Sequence, residues 1–290
     1  MMKKLFTAGV AALGLAAMVG CTQVSDSGTM QKIENGETLT VGYANERPYG
    51  YSENGQPTGM SVDISSTIFK ELGAAGIEGD IVDFGSLING LNSSQFDAVT
   101  AGMYITPDRC ENAMFAEPEY RMGEGLAVAP GNPHDLHSYT DILENQDITV
   151  TVMTGGVEYG YLMDMAEEMG IEPTNIKTVN TIADNVAALQ SGRTDAITMT
   201  EATLLTALKG SESSQIEVVE DFEQPIINGE EIFGYGSTVF AKGDEALLEA
   251  YNEKLAEMKE SGELVEIYEK YGLSEENLPG DVTTEELCGA

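Results

Sequence analysis

From residue 38 onward, short apolar runs alternate with amphipathic stretches. LTVGYA (39–44) has the pattern of a strand, and Ile64, Ile68, Phe69 and Leu72 fall on one face of a helix. DIVDF (80–84), FDAVTAG (96–102), IKTVN (176–180) and DAITMT (195–200) predict further strands, as does ITVTVM (148–153). SLINGLNS (86–93) predicts a short helix, and longer ones are expected over 157–169 and 182–191. YGSTVFAK (235–242) adds a late strand before a long helix marked by Leu247, Tyr251, Leu255 and Met258. Pro130, Gly131 and Pro133 break the rhythm within LAVAPGNP (126–133).

Strands and helices in alternation predict α/β layers with largely parallel sheets. There are two such series, 38–125 and 135–230, each the size of a small domain. The apolar connections at 126–133 and 233–240 are the expected crossings between them. One lobe would then comprise 37–129 with 237–290, and the other 130–236. Ligands of open α/β sheets sit beyond the carboxyl ends of the strands, which here means the cleft between lobes.

The first residues bear on the compartment. Lys3 and Lys4 precede an apolar run from Leu5 to Gly20, too short for a comfortable membrane span and suited to a signal peptide. The run ends Met18-Val19-Gly20-Cys21, which resembles a bacterial lipobox with Met18 in place of the usual Leu. Residues 1–20 are therefore expected to be removed and Cys21 to carry a diacylglyceryl group. An ordinary signal peptide that happens to meet a cysteine is the plainer alternative. Residues 21–36 are polar and aperiodic, and a flexible tether is expected there.

Charge narrows the partners. The 290 residues include 14 basic and 49 acidic side chains, a net charge of −35, or −37 without Lys3 and Lys4. Such a field repels phosphate backbones and excludes nucleic-acid binding. An anionic membrane surface is equally unsuited, unless the chain is held there by its lipid. Dense carboxylate keeps a protein soluble in brine, where screening shortens to about 3 Å; ordinary extracellular acidity accounts for the charge as well. Beyond Cys21 only Cys110 and Cys288 remain. An even pair in an oxidising compartment predicts one disulfide, pinning the C-terminus to the first third of the chain.

No catalytic signature is present: the chain has no G-x-S-x-G, no H-E-x-x-H and no Walker loop. His134 and His137 share a Pro/Gly-rich loop without a neighbouring Cys, so no metal is expected, nor any cofactor. Arginine occurs four times, as Arg47, Arg109, Arg121 and Arg193, and surface carboxylates would satisfy any of them. Arg109 differs in following GMYITPD at a strand end, where a guanidinium fork can meet a ligand carboxylate. Tyr104 lies on the same turn; ERPYGY (46–51) brings Glu46, Tyr49 and Tyr51 to the same edge, and Phe84 closes the next strand. Aromatics at strand ends often cap a core. Here several strand ends bring one beside an acid and an arginine, which favours a pocket.

These segments resemble the family 3 extracellular solute-binding proteins of ABC importers over about residues 37–278. VGYANERPYGYSENGQPTGMSVDI is similar to the family's opening strand, ligand loop and helix. FDAVTAGMYITPDR is similar to its segment ending in the carboxylate-binding Arg, and SGRTDAITMT to its second-lobe G-x-x-D-A turn. The resemblance implies the two-lobed type II periplasmic-binding-protein fold, each lobe a mostly parallel sheet flanked by helices, with two hinge crossings. NERPYGY, FGSLINGL, GMYITPDRC, GNPHDLHSY and LPGDVTTEELC are most similar to the ectoine/hydroxyectoine-binding branch. Carried over, Tyr49, Phe84 and Tyr104 form an aromatic cage, Arg109 grips the carboxylate, and Glu46 meets the positive end. Thr154, Gly155 and Gly156 add second-lobe contacts, with Gly102 and Thr200 completing the expected site. The amino-acid branches usually place Asp where Thr200 stands, beside Glu201, and a Gly-Thr-Thr or Gly-Ser-Thr loop where Gly155-Gly156-Val157 stands. The α-ammonium site thus looks dismantled.

Ligand chemistry points the same way. Ectoine is a cyclic zwitterion with its charge spread over an amidinium, which suits aromatic faces at about 1–2 kcal/mol each when desolvated. The expected protein is a monomeric, lipid-anchored, extracytoplasmic binding protein, partnered by a small zwitterion and an importer's membrane subunits. The rival of the same class binds polar amino acids or another zwitterionic osmolyte. A dehydratase of this fold needs an acid and a base over the substrate, and Glu46 has no evident partner. A sensor role would require a transmembrane or kinase segment, and the sequence has neither.

Overall fold

The computed structural model describes residues 28–209 and 215–289; the expected signal peptide and Cys21 lie outside them. The chain enters through α1 (Thr29–Glu34) and builds a first lobe from β1 (Thr38–Tyr43), the hairpin β2 (Tyr51–Glu53) and β3 (Gln56–Thr58), and α2 (Met60–Leu72). β4 (Gly76–Ile81), α3 (Leu87–Asn92), β5 (Ala98–Val99), α4 (Pro107–Cys110) and β6 (Met114–Phe115) follow. It crosses at β7 (Tyr120–Met122) into β8 (Glu124–Val128), α5 (Tyr139–Glu144), β9 (Val150–Met153), α6 (Val157–Met169) and β10 (Ile176–Val179). The second lobe closes with α7 (Ile182–Gln190), β11 (Ala196–Thr200), α8 (Glu201–Leu208), β12 (Glu217–Val218) and the hairpin β13 (Ile226–Ile227) and β14 (Glu230–Glu231). The chain returns at β15 (Gly234–Gly236) to finish the first lobe with β16 (Val239–Phe240), α9 (Glu245–Ser261), α10 (Glu263–Lys270) and α11 (Thr284–Leu287).

Each lobe holds a five-stranded sheet, ordered β4-β1-β5-β16-β6 in the first and β10-β9-β11-β8-β12 in the second. In each, one strand runs against the rest: β16 against β5 and β6, and β8 against β11 and β12. The reversed strand is the one that leaves a crossing directly. The crossings pair with one another, antiparallel, as Tyr120↔Gly236, Arg121↔Tyr235 and Met122↔Gly234. The apolar stripe of α2 buries Ile64, Ile68 and Phe69 against Leu247, Tyr251 and Leu255 of α9. Phe69 meets the Tyr251 ring at 5.5 Å and the edge of Phe240 at 6.3 Å. At roughly 1.5–3 kcal/mol for each buried large side chain, this contact anchors the C-terminal helix.

Three expectations need correction. The first crossing is Tyr120–Met122, not 126–133, so the second lobe starts before residue 130. LAVAP follows the crossing instead: all five residues of β8 are buried, as suits an interior strand covered on both faces. The tether does not extend to residue 36. α1 packs Ile33 into the first-lobe core with Met30 partly buried beside it, and two apolar residues in one short segment gave too little periodicity to read. The strand expected at 80–84 sits earlier, paired with β1 from Thr38↔Gly76 to Tyr43↔Ile81. It is an edge strand with little buried, while Phe84 begins a 3₁₀ turn and points inward.

A disulfide joins Cys110 to Cys288 across 178 residues of sequence. Around it Thr284 donates through its N–H to Glu117 (3.1 Å) and through its hydroxyl to the Ala116 carbonyl (2.6 Å). The C-terminal strap is thus sewn along the first lobe and ends beside Arg109. Replacing both cysteines by serine is expected to lower the unfolding free energy by about 2–5 kcal/mol. Urea denaturation measures the loss.

Candidate functional site

Beyond β1 the chain makes a tight turn closed by two backbone hydrogen bonds between Glu46 and Gly50, at 2.8 and 2.9 Å. The turn delivers Glu46 and Tyr49, both buried, to the junction of the lobes. The Tyr49 hydroxyl donates to Thr200 Oγ1 at 3.1 Å, and Thr200 Oγ1 donates to Thr203 Oγ1 at 2.9 Å. Thr203 Oγ1 donates to Glu46 Oε1 at 2.6 Å. One relay of hydroxyls therefore leaves the first lobe, runs through the second and returns to a first-lobe carboxylate. Its threonines are set by the start of α8, where Thr200 is the N-cap and accepts the Thr203 N–H.

Arg109 rides on the single turn of α4, begun by Thr106, whose hydroxyl accepts the Arg109 N–H. One terminal guanidinium nitrogen donates to the Tyr104 carbonyl at 2.6 Å and the other to the Gly155 carbonyl of the second lobe at 2.8 Å. The guanidinium carbon stands 5.5 Å from the centre of the Phe84 ring. Gly155, at φ +82°, permits this approach: a Cβ there would lie 2.7 Å from the Gly85 Cα. Backbone meets backbone across the cleft at this point.

Glu46, Phe84, Gly102, Tyr104, Arg109, Gly156 and Thr200 line a cavity of about 20 Å³, together with Met153, Val157 and Glu158. That is room for about one water, so a ring-sized solute enters only when the lobes part. Tyr49 stands behind this wall. Thr154 and Gly155 lie at the exposed rim, where the Thr154 hydroxyl donates to Asn180 at 3.4 Å. His134 and His137 are elsewhere, against Asp195 and between Asp135 and Asp221. Among the described residues, no group of three or more His, Cys, Asp or Glu is arranged to hold a metal ion.

Four groups escaped the sequence reading. Tyr120, from the first crossing, stacks on Tyr49 at 5.2 Å and tilts against Tyr104 at 6.3 Å, backing the aromatic wall. Thr203 receives Glu46, and the pattern T-E-A-T at a helix start was its only signal. Glu158 is 3% exposed, in the first turn of α6, and its carboxylate folds over Gly156, where any Cβ would collide with it at 2.2 Å. Glu124 is 2% exposed in β8, a lone acid beside an apolar run. Neither oxygen of Glu124, nor Oε2 of Glu158, has a hydrogen-bond partner among the described residues.

Electrostatics at the junction are unbalanced. Glu46 and Glu158 are buried near the Arg109 guanidinium, and Glu124 is buried near those two acids. Burial pushes the Glu46 carboxyl up to about 8; the Thr203 hydrogen bond opposes the rise, Glu158 adds to it and Arg109 reduces it. Burial pushes Glu158 up to about 7 against its own backbone N–H and Arg109. Glu124 is raised well above the usual carboxylate range by burial and then by Glu158 and Glu46. Burial also lowers the Arg109 pKa, which Glu158 and then the phenols of Tyr161, Tyr120 and Tyr104 partly restore.

Comparison with known proteins fits this geometry. Residues 39–274 match the family model described as bacterial extracellular solute-binding proteins, family 3. The probable amino-acid ABC transporter periplasmic-binding protein y4tE of Sinorhizobium fredii (strain NBRC 101917 / NGR234) is 32% identical over 271 residues, covering 92% of this chain and 88% of that protein. The arginine-binding extracellular protein ArtP of Bacillus subtilis (strain 168) is 28% identical over 272 residues, covering 93% and 98%. Among solved structures, EhuB in complex with hydroxyectoine superposes with a TM-score of 0.80 at 31% identity, covering 91% of this chain and 99% of that one.

A carboxyl raised in the folded protein keeps its proton where the unfolded chain has lost it. The stability it contributes is full below about pH 4.5 and is lost as pH rises through about 7 to 8. The thermal midpoint is therefore expected to fall from about pH 6 to about pH 9. Each titrating group contributes up to about 1.4 kcal/mol per pH unit, and Glu158→Gln should flatten the slope. Thermal melts across that range check the sign; a rising midpoint would contradict the assignment.

Proposed function

Since this chain belongs to the family 3 bacterial extracellular solute-binding proteins, we propose that the solute it captures between its lobes is ectoine or hydroxyectoine. The fold is the two-lobed type II periplasmic-binding-protein fold, and the protein is the solute-binding component of an ABC transporter, serving that transporter's membrane subunits. No described helix is long and apolar enough to cross a membrane. Attachment through a lipid on Cys21 is part of the proposal.

The observation that carries the ligand reading is Thr200. At the second-lobe position where an amino-acid site would hold an α-ammonium on a carboxylate, this chain has a hydroxyl already engaged on both sides, by Tyr49 and Thr203. The acidic groups that line the cavity are instead Glu46 and Glu158, together with the rings of Phe84 and Tyr104. That arrangement suits a delocalised, weakly hydrated cation better than a compact ammonium. Arg109 has five N–H donors and spends one from each terminal nitrogen on carbonyls, leaving a fork for the ligand carboxylate. The superposition on EhuB in complex with hydroxyectoine supports the same ligand class.

A second reading rests on charge. Three buried carboxylates against one arginine also suit a ligand with an additional cationic group, such as a basic amino acid, and ArtP is named for binding arginine. Calorimetric titration with ectoine, hydroxyectoine, glycine betaine, glutamine and arginine separates the readings. Heat from the two cyclic compounds alone supports the first; heat from arginine alone overturns it.

Arg109→Ala is expected to weaken ectoine binding by about 3 kcal/mol, roughly 100-fold, with little change in fold. Near-normal affinity would refute the carboxylate role. Tyr104→Ala should cost more than Tyr104→Phe; equal losses would assign the effect to the hydroxyl rather than to the ring face.

A further inference from the structure

We propose that Glu158 is the residue by which the site tells hydroxyectoine from ectoine, its unpartnered carboxylate oxygen taking the hydroxyl that only the first of them carries. This rests on the ligand reading above and names the member of that pair which the site favours. The polar groups lining the cavity are mostly committed. Glu46 is held by Thr203, and Thr200 is engaged on both sides, by Tyr49 and Thr203. Two lining residues end in a buried atom with no hydrogen-bond partner among the described residues, the Tyr104 hydroxyl and Oε2 of Glu158.

Glu158 stands in the first turn of α6 and faces the same space as Arg109. Two adjacent glycines fix its place beside the carboxylate clamp. The Arg109 guanidinium donates to the Gly155 carbonyl at 2.8 Å, and Glu158 Oε2 lies over the next residue, 2.2 Å from where a Cβ on Gly156 would stand. Any side chain at 156 would drive the carboxylate out of this position. Glu158 is only 3% exposed, so water does not reach its free oxygen as it reaches most first-turn acids. An acceptor buried in this way is costly, and a ligand that brings a donor relieves the cost.

Ligand chemistry says which donor. With the carboxylate on Arg109 and the amidinium at Glu46, the rest of the ectoine ring is methylene and methyl. Glu158 would then face only carbon and a second carboxylate. Hydroxyectoine carries its hydroxyl on the ring carbon next to the one that bears the carboxylate. Those two substituents stand side by side, as Arg109 and Glu158 do around a space about one water wide. A hydroxyl donates to a carboxylate and accepts from a carboxylic acid, so it serves Glu158 with or without a proton. The neighbouring second-lobe residues offer no substitute. Thr154 donates to Asn180 at the exposed rim, and Gly155, Gly156 and Val157 have no polar side chain. A site with a buried group made for a ligand hydroxyl rejects the analogue that lacks it.

Calorimetric titration with each compound gives the ratio of the two dissociation constants. Hydroxyectoine is expected to bind the wild type at least about tenfold more tightly than ectoine. In Glu158→Ala the two affinities are expected to come within about twofold of each other, chiefly through loss of hydroxyectoine binding. Should that variant not fold, Glu158→Met, of similar length and without the oxygens, takes its place. Tyr104→Phe is expected to keep the wild-type ratio, whatever it does to the two affinities. Equal affinities in the wild type would overturn the proposal and leave the ligand reading standing. So would a ratio lost in Tyr104→Phe, or one retained in the Glu158 variant, where both compounds weaken together because Glu158 serves the carboxylate instead. If neither compound gives heat with the wild type, the ligand reading itself fails and this inference falls with it.

Discussion

A charge removed from water must be paired, bonded or neutralised, and the junction between the lobes is built around that requirement. Glu46 is bonded, to a threonine that belongs to the other lobe. Arg109 is bonded to carbonyls on both sides. Glu46 thus finds its hydroxyl partner, and Arg109 one of its two carbonyls, only when the second lobe is in place. The contact between lobes joins hydroxyls, carbonyls and bare backbone with a few apolar side chains, Met153 and Ile182 beside the Phe84 cluster and Ala202 and Val157 beside the α2 core. Directed bonds give such a junction its specificity.

The cores themselves are conventional by comparison, and they are the part most visible in the sequence. The stripe Ile64, Ile68 and Phe69 and the stripe Leu247, Tyr251 and Leu255 lie 180 residues apart, yet each was legible from its own spacing, and they pack together. Helices predicted over 157–169 and 182–191 begin where expected; at the second, periodicity and capping agree, Thr181 accepting the Asp184 N–H. The failures are equally local. LAVAP looked like a connection because prolines follow it, whereas a strand covered on both faces shows no alternation to recognise. α1 was invisible because its single pair of apolar residues, Met30 and Ile33, is too short a stripe to stand out among polar neighbours.

At the site, residues on strand ends were found and residues on helix starts were mostly missed. Tyr104 and Arg109 stand out in a short motif at a strand terminus. Thr203, Glu158 and Tyr120 acquire meaning only from what lies opposite them, and no spacing within one segment encodes an opposite lobe. Glu124 is the clearest instance. A carboxylate beside a run of buried apolar positions contradicts the local pattern, and such contradictions tend to mark function. In a chain with 49 acidic residues, that contradiction is easy to pass over.

The returning crossing strand has a wider implication. Tyr104 lies so close over Gly234 that a Cβ there would fall 1.7 Å from its ring, and Tyr120 lies as tightly over Gly236. Both glycines belong to the strand pair about which the lobes are joined. The bearing and the grip are therefore made from the same parts. In the proposed function Tyr104 also faces the solute, so exchanging that ring would disturb the strand that joins the lobes along with the wall of the ligand cavity. Thr203 on α8 carries a similar double duty, since its hydroxyl joins the lobes through Glu46, itself a wall of the cavity.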